Sequence, residues 1–448
     1  MAKITALQAL NKVLQRIGEG TVAALTSLTT IQTVAFESLN RALLELTQDI
    51  NLKPTEKRGK IFLKDELYRY ATPSDFDRFA GPEDSFKNPE ESYIDFDGTN
   101  SYLSTPASPA IDLSSGIWTF DALVLVDSLS SERTLFGQKT DDLNYVRAYI
   151  DTDGSIKIRV KDTALFTVAV ATAAGVITTG RYYRIRLVEN GDTFYIFVDG
   201  KDKAASGNTS ETSRAVLYTG NFEIGRLNVS GLEGYFDGRM REVRLSNSAR
   251  STTNYDWESN PYEDDSATKF LLHGEGIKNS VDIVESGSNA LVFSAAGSAK
   301  IDVERKQKGN ILYKTTDEWD QLLPEGVRSD RTGWPDSIAY VRGRIEVDHI
   351  PTVTEKGKVI EYRYFQIPTL FSTSTSTGTS FMPEGWDQTV LPDYATWMTM
   401  QYMGHPEMND YYFKLFGDPR NKQPEGEVSR FKRAFSQPAL KPTMDYHF

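Results

Sequence analysis

The chain has 448 residues, a length that suggests two or three domains. It carries 50 Lys and Arg against 62 Asp and Glu, a formal net charge of −12, with 39% hydrophobic and 25% charged residues. These values exclude a wholly disordered chain, a collagen-like one and a bundle of membrane helices. Cysteine is absent, which removes disulfides, thiolate nucleophiles and Cys-ligated zinc. No run approaches about 18 consecutive apolar residues. Met1-Ala2-Lys3-Ile4-Thr5 leads into no signal-peptide core, so the expectation is a chain made in a cytoplasm and kept there, or packaged from it.

The first fifty residues predict two helices. Ile4, Leu7, Leu10, Leu14 and Ile17 recur at three- and four-residue spacing, and Gly18-Glu19-Gly20 ends that stripe. A second stripe runs through Ile31, Val34, Leu39, Leu43, Leu46 and Ile50, closed by Asn51 and Pro54. Near Ile61 the period falls to two, predicting strands at 60–63 and 66–70, and Thr72-Pro73-Ser74-Asp75-Phe76 reads as a turn.

Residues 91–305 change style. Short alternating segments are punctuated by Asp97-Gly98, Asp153-Gly154, Asn190-Gly191, Asp199-Gly200, Thr219-Gly220 and Asp237-Gly238, the pattern of an antiparallel β-sandwich. Segments 184–188 and 193–198 flank Asn190-Gly191 as a hairpin. This stretch holds 31 acidic and 21 basic side chains, so nearly all the net negative charge lies here. That charge favours solubility and disfavours nucleic acid, whose phosphates require a basic stripe.

After residue 305 come a loop-rich run with Trp319 and Trp334-Pro335, strands at 344–347 and 359–365, and a low-complexity Ser372–Thr377 loop. A helix is predicted over 393–416, followed by a proline-bearing extended tail, 417–448. The resulting fold class is α+β: a helical domain with a small β element, interrupted by an all-β jelly-roll sandwich. The boundaries are 1–90 and 306–416 for the two halves of the interrupted domain, 91–305 for the insertion and 417–448 for the tail. Pro89-Glu90 and Lys306–Gly309 suit the junctions.

The insertion resembles the laminin-G-like, concanavalin-type jelly roll. The resemblance rests on residues 93–103 (YIDFDGTNSYL), 118–124 (WTFDALV), 197–201 (FVDGK) and 238–250 (GRMREVRLSNSAR), in that order. It implies a structural calcium near Asp95 and Asp97, but the closing acidic position holds Arg241, whose guanidinium would repel the ion. Asp95, Asp97, Asp151 and Asp153 are therefore read as solvated turn carboxylates.

The flanks resemble the adaptor, or head-to-tail connector, of tailed bacteriophages, the group that includes the tail tubular protein. The matching residues are 6–19 (ALQALNKVLQRIGE), Gln48-Asp49, 70–76 (YATPSDF), 333–340 (GWPDSIAY) and 362–364 (YRY). The resemblance implies a virion protein of the neck, assembled in the host bacterial cytoplasm. It implies a ring of twelve copies beneath the portal protein, above a downstream tail or nozzle protein; the inserted jelly roll departs from the family's minimal pattern and is read as a surface-exposed decoration. The C-terminal tail would dock on the portal through Arg430, Phe431, Arg433, Phe435, Tyr446 and Phe448, since aromatics and arginine dominate interface energetics.

No catalytic constellation appears. There is no Glu-x-Asp-x-Glu strand pattern, and Glu233 and Asp237 lie across a turn rather than on one strand face. His273, His349, His405 and His447 lack zinc spacing, and neither a nucleophile elbow nor a phosphate loop occurs. The chain is read as non-enzymatic, without cofactor, without membrane contact and without a specific nucleic acid. The alternative to a structural adaptor is a carbohydrate- or capsid-binding module on a structural scaffold, with Tyr145, Tyr149, Tyr182 and Tyr183 as candidate glycan platforms.

Overall fold

The computed structural model describes residues 3–47, 56–79, 91–111, 113, 116–162, 166–191, 193–204, 218–229, 231, 234–304, 311–327, 329–374, 382–383, 385–417 and 425–435. The proposed junctions Pro89-Glu90 and Lys306–Gly309, together with Glu233, lie outside the described residues. The chain divides into two compact units, Met1–Gly59 with Pro73–Ser85 and Tyr362–Phe448, and Lys60–Thr72 with Phe86–Glu361. Six α-helices occur among the described residues: α1 (Ala6–Arg16), α2 (Thr30–Thr47), α3 (Thr316–Leu322), α4 (Val390–Met403), α5 (Met408–Phe416) and α6 (Glu427–Phe435).

In the first unit, α1 opens on a capping box. Thr5 Oγ1 accepts from the Gln8 backbone N–H, and the Gln8 side chain accepts from the Thr5 N–H, satisfying two of the orphan donors at the helix start. Its apolar stripe packs with those of α2 and α4 into one core that includes Leu10, Leu14, Leu39, Leu43, Leu391 and Ala395. Polar ties join the same segments: the Ile4 N–H donates to Asp387 Oδ2 at 2.9 Å, and the Tyr394 hydroxyl donates to Glu45 Oε2 at 2.8 Å. Residues 427–435, expected as part of an extended tail, instead form α6. Val428 and Phe431, three apart on one helix face, are buried in this same core, which accounts for the helix.

The second unit is a two-sheet sandwich with an appended small sheet. One sheet runs, in spatial order, through Phe166–Ala171, Ile156–Asp162, Asn144–Ile150, Arg133–Asp141, Phe222–Ile224, Tyr102–Thr105, Phe293–Ala296 and Asp282–Ile283. The other runs through Lys201–Asp202, Thr193–Val198, Tyr182–Asn190, Ile117–Val126, Asp237–Ser246, Glu91–Asp97 and Lys300–Glu304, with Thr268–Leu272 paired to Asp237–Ser246. Between them lie Trp118, Phe120, Val124, Phe136, Ile185, Leu187 and Phe222, one residue in two along each strand.

Residues 312–347, which sequence reading groups with the helices, build a four-stranded sheet. Its order is Arg69–Ala71, Arg344–Val347, Ser337–Val341 and Leu312–Lys314, and α3 packs on it through Trp319. The architecture is therefore predominantly β rather than evenly α+β. The reason is that the strand pairing of Arg69–Ala71 with Arg344–Val347 draws both segments into the sandwich-bearing unit.

Candidate functional site

The structure places the sequence-derived candidates first of all inside the protein. Tyr145, Tyr149, Tyr182 and Tyr183 are 4%, 7%, 3% and 6% exposed, so no ring face is open to stack on a sugar. They also sit on different sheets, Tyr145 and Tyr149 on Asn144–Ile150 and the other two on Tyr182–Asn190. Tyr149 lies beneath the Arg147 guanidinium, 4.5 Å from its ring centre, and Tyr182 lies beneath that of Arg241 at 4.4 Å. Of the tail residues, Arg430 and Arg433 are exposed on α6. Phe431 is wholly buried against Trp386, with ring centres 5.3 Å apart. The Phe435 side chain, Tyr446 and Phe448 lie outside the described residues.

The opening turn does not suit calcium. Asp97 Oδ1 accepts from the backbone N–H groups of Thr99, Asn100 and Ser101 at 2.9, 3.0 and 3.1 Å and from the Ser101 hydroxyl. Burial opposes ionisation of Asp97, but these donors outweigh it and hold its pKa well below the usual carboxylate range. Asp95 is pushed up, by burial and by Asp302. The nearby oxygens are gathered by Arg133, which donates to Ser128 O at 2.8 Å, Tyr235 O at 3.0 Å and Asp237 Oδ2 at 3.2 Å. A guanidinium thus fills the corner where a cation would need free oxygen ligands. Among the described residues no group of three or more His, Asp or Glu converges to hold a metal. Arg241 donates to the Gly357 carbonyl at 2.7 Å and so pins the 352–358 turn.

The face of the second sheet directed away from the sandwich core is also buried. Leu123, Leu125 and Tyr182 on it pack with Phe62, Trp257 and Val359, and the Phe62 N–H donates to Ser259 O at 2.6 Å. At its centre Asp121, wholly buried, accepts from Arg186 Nε at 2.6 Å, Arg244 Nη2 at 2.9 Å and the Tyr262 hydroxyl at 3.2 Å. Burial alone would raise the Asp121 pKa; the two guanidinia outweigh it and keep the carboxyl below its ordinary value. Arg186 stacks over Tyr255 at 4.0 Å and Arg244 over Tyr262 at 3.7 Å.

Where the covering segment meets the small sheet, a cleft of about 780 Å³ opens. Its walls include Trp257, Asn260 and the 263–265 run on one side, and Lys64, Arg69, Gly343 and Arg344 on the other. The size and the mixture of one large aromatic with many polar groups suit a small polar ligand. Most of the basic lining is already engaged: Lys64 with Asp256 at 2.9 Å, Arg69 with Glu346 at 2.6 Å, and Arg250 with both oxygens of Asp265 at 2.9 and 2.8 Å. Asn260 Oδ1 is shielded from solvent and receives no donor among the described residues. Sequence reasoning missed these residues because they come from segments nearly 280 positions apart. The one local signal was the Glu263-Asp264-Asp265 run beside a loop Trp.

A second tie holds the covering segment. Glu242 takes a left-handed backbone, φ 52°, where the Asp237–Ser246 strand bulges against its Ile117–Val126 neighbour. Its carboxylate accepts from the Tyr262 N–H at 2.8 Å and meets His273 Nδ1 at 2.9 Å. Burial disfavours the charged His273 ring, but the hydrogen bond and charge of Glu242 outweigh this and raise its pKa above 6.5. A folded-state pKa raised in this way contributes stability below the unfolded value that is lost as pH rises through the folded one. Urea midpoints of the wild type and His273→Gln are expected to differ most at about pH 5.5 and to converge at about pH 9. A constant difference across that range would contradict the assignment.

The fold defines the sandwich as a laminin-G/concanavalin-like jelly roll. The sequence model of the concanavalin A-like lectin/glucanase superfamily (laminin G type) matches residues 97–254, leaving 1–96 and 255–448 uncovered. No curated protein matches the chain. Among solved structures, it is similar to a protein from Bacteroides ovatus assigned a carbohydrate-binding role (18% identity, TM-score 0.35, covering 48% of this chain and 61% of that one). It is also similar to the carbohydrate-binding module CBM40 of the Ruminococcus gnavus IT-sialidase, bound to α2,3-sialyllactose (14%, TM-score 0.29, 37% and 95%). A third is domains LG4-5 of the mouse laminin α1 chain (14% identity, TM-score 0.29, 39% and 48%).

Proposed function

We propose that this chain is a non-catalytic carbohydrate-binding module, its jelly roll carried on a helical scaffold, with the cleft beside Trp257 as the binding site. The observation that carries the reading is the cleft itself: about 780 Å³ and a ring of polar side chains beside a concanavalin-like sandwich. Sugars present many hydroxyls, which the cleft's polar acceptors and donors match; Trp257 is itself only 5% exposed, with the Lys64 ammonium over its ring, and offers no stacking face. A glycan array probed with the full chain is expected to show at least one bound class. Asn260→Ala, checked for native circular dichroism, is expected to weaken that binding by about tenfold, the equivalent of about 1.4 kcal/mol. A blank array, or binding unchanged in the variant, would remove the assignment.

A second reading, a virion adaptor ring joining portal to tail, is favoured by one observation. The N-terminal α1 and α2 share a core with the C-terminal α4 and α6, so the segments that resemble connectors make one unit, and Arg430 and Arg433 stand exposed on it. In this reading the jelly roll is a decoration, or holds glycan at the particle surface. Mass photometry of the purified chain with its portal protein is expected to give a closed ring of about twelve copies, as cyclic head-to-tail contacts require. Monomers that stay monomeric with portal present would count against it.

A further inference from the structure

We infer that the cleft selects sugars that bring hydrogen-bond donors, an ammonium group included, and discriminates against carboxylate-bearing sugars; this rests on the carbohydrate reading above. Of the cations lining the cleft, Arg250 donates to both Asp265 oxygens, to Ser246 Oγ at 2.7 Å and to Thr268 Oγ1 at 3.2 Å. Arg244 is directed to Asp121, Arg69 to Glu346, and Lys64 to Asp256 with its ammonium 4.9 Å from the Trp257 ring centre. A ligand carboxylate could recruit Arg69 only by leaving the buried Glu346 without its arginine, and Arg244 only by taking one of the two guanidinia from the buried Asp121. Arg344 is the one lining cation with no partner among the described residues.

The acceptors show the opposite balance. Glu258, Glu263 and Asp264 line the cleft and make no ion pair or side-chain hydrogen bond among the described residues. Asn260 Oδ1 adds a desolvated acceptor with no donor among the described residues, a group whose cost falls when a ligand donor reaches it. The cleft therefore offers three carboxylates and an amide oxygen against a single open guanidinium. A glucosamine ammonium gains charge-assisted bonds there, a neutral sugar gains ordinary ones, and a sialic acid carboxylate meets repulsion.

The test is calorimetric titration of the full chain with three probes: a β1,4-linked glucosamine trimer, cellotriose and 3′-sialyllactose. The glucosamine trimer is expected to bind about tenfold more tightly than cellotriose in low salt, the ratio one ionic hydrogen bond provides. That ratio is expected to shrink in about 0.5 M salt, and sialyllactose is expected to bind more weakly than cellotriose. Glu263→Gln with Asp264→Asn, both exposed and outside any described pairing, is expected to bring the ratio of glucosamine-trimer to cellotriose affinity down towards one. Tighter binding of sialyllactose than of cellotriose, or an unchanged ratio in the double variant, overturns the inference and leaves the carbohydrate reading standing. Failure of all three probes to bind overturns both.

Discussion

Asp121→Ala is expected to lower the unfolding free energy of the sandwich-bearing unit by about 3–5 kcal/mol, the range found when one member of a buried ionic cluster is removed. The carboxylate is wholly buried, and it is the common acceptor of Arg186, Arg244 and Tyr262. Without it two guanidinia, 5% and 3% exposed, remain in a low-dielectric layer against the Tyr255 and Tyr262 rings with no carboxylate between them. Urea unfolding followed by tryptophan fluorescence measures the loss. Replacing the set together, Asp121→Leu with Arg186→Leu and Arg244→Met, is expected to restore stability to near the wild-type value, because no charge is then left unpaired. A loss below about 1 kcal/mol in the single variant would mean that water reaches the cluster and that the covering segment is not closed over it.

Phe136→Ala is expected to cost about 3–5 kcal/mol through a different mechanism, the cavity left by a large core ring. The ring is fully buried, stacked on Phe222 with centres 5.6 Å apart, tilted against Phe120 at 4.4 Å and met edge-on by Trp118 at 5.5 Å. Phe136→Leu keeps part of that volume and is expected to cost about 1–2 kcal/mol. The same urea unfolding assay separates the two variants. Equal losses would point to the aromatic geometry, rather than lost volume, as the source of the stabilisation.

Both sites lie on strands that the alternation of the sequence locates, and they show where that alternation stops being informative. In Ile117–Val126 the residues Trp118, Phe120, Ala122, Val124 and Val126 alternate into the sandwich core, as a period of two predicts. Asn190 pairs with Thr193 around the Asn190-Gly191 turn, the register that hairpin signal specifies. Thr119, Asp121, Leu123 and Leu125 fall on the other face, which looks like a solvent face from its Thr and Asp. It is buried because residues 255–262 and 60–64 lie over it. The same limit governs the tyrosines. Tyr145 and Tyr149 alternate with the core residues Val146 and Ala148, so they read as outward, and their burial depends on what other segments place over them.

The amino-acid sequence by itself determined the helix stripes of α1 and α2, the strand periodicity of the sandwich, its turns and the family of fold it resembles, because each depends on neighbours within a few residues. Only the tertiary structure decided that residues 312–347 join Arg69–Ala71 in a sheet, that Asp121 is shared by two arginines, and that the cleft's arginines are mostly engaged while three of its carboxylates, Glu258, Glu263 and Asp264, have no partner among the described residues. Those outcomes depend on which charges become desolvated together, and desolvation is set by segments distant in the chain that no local pattern brings into view.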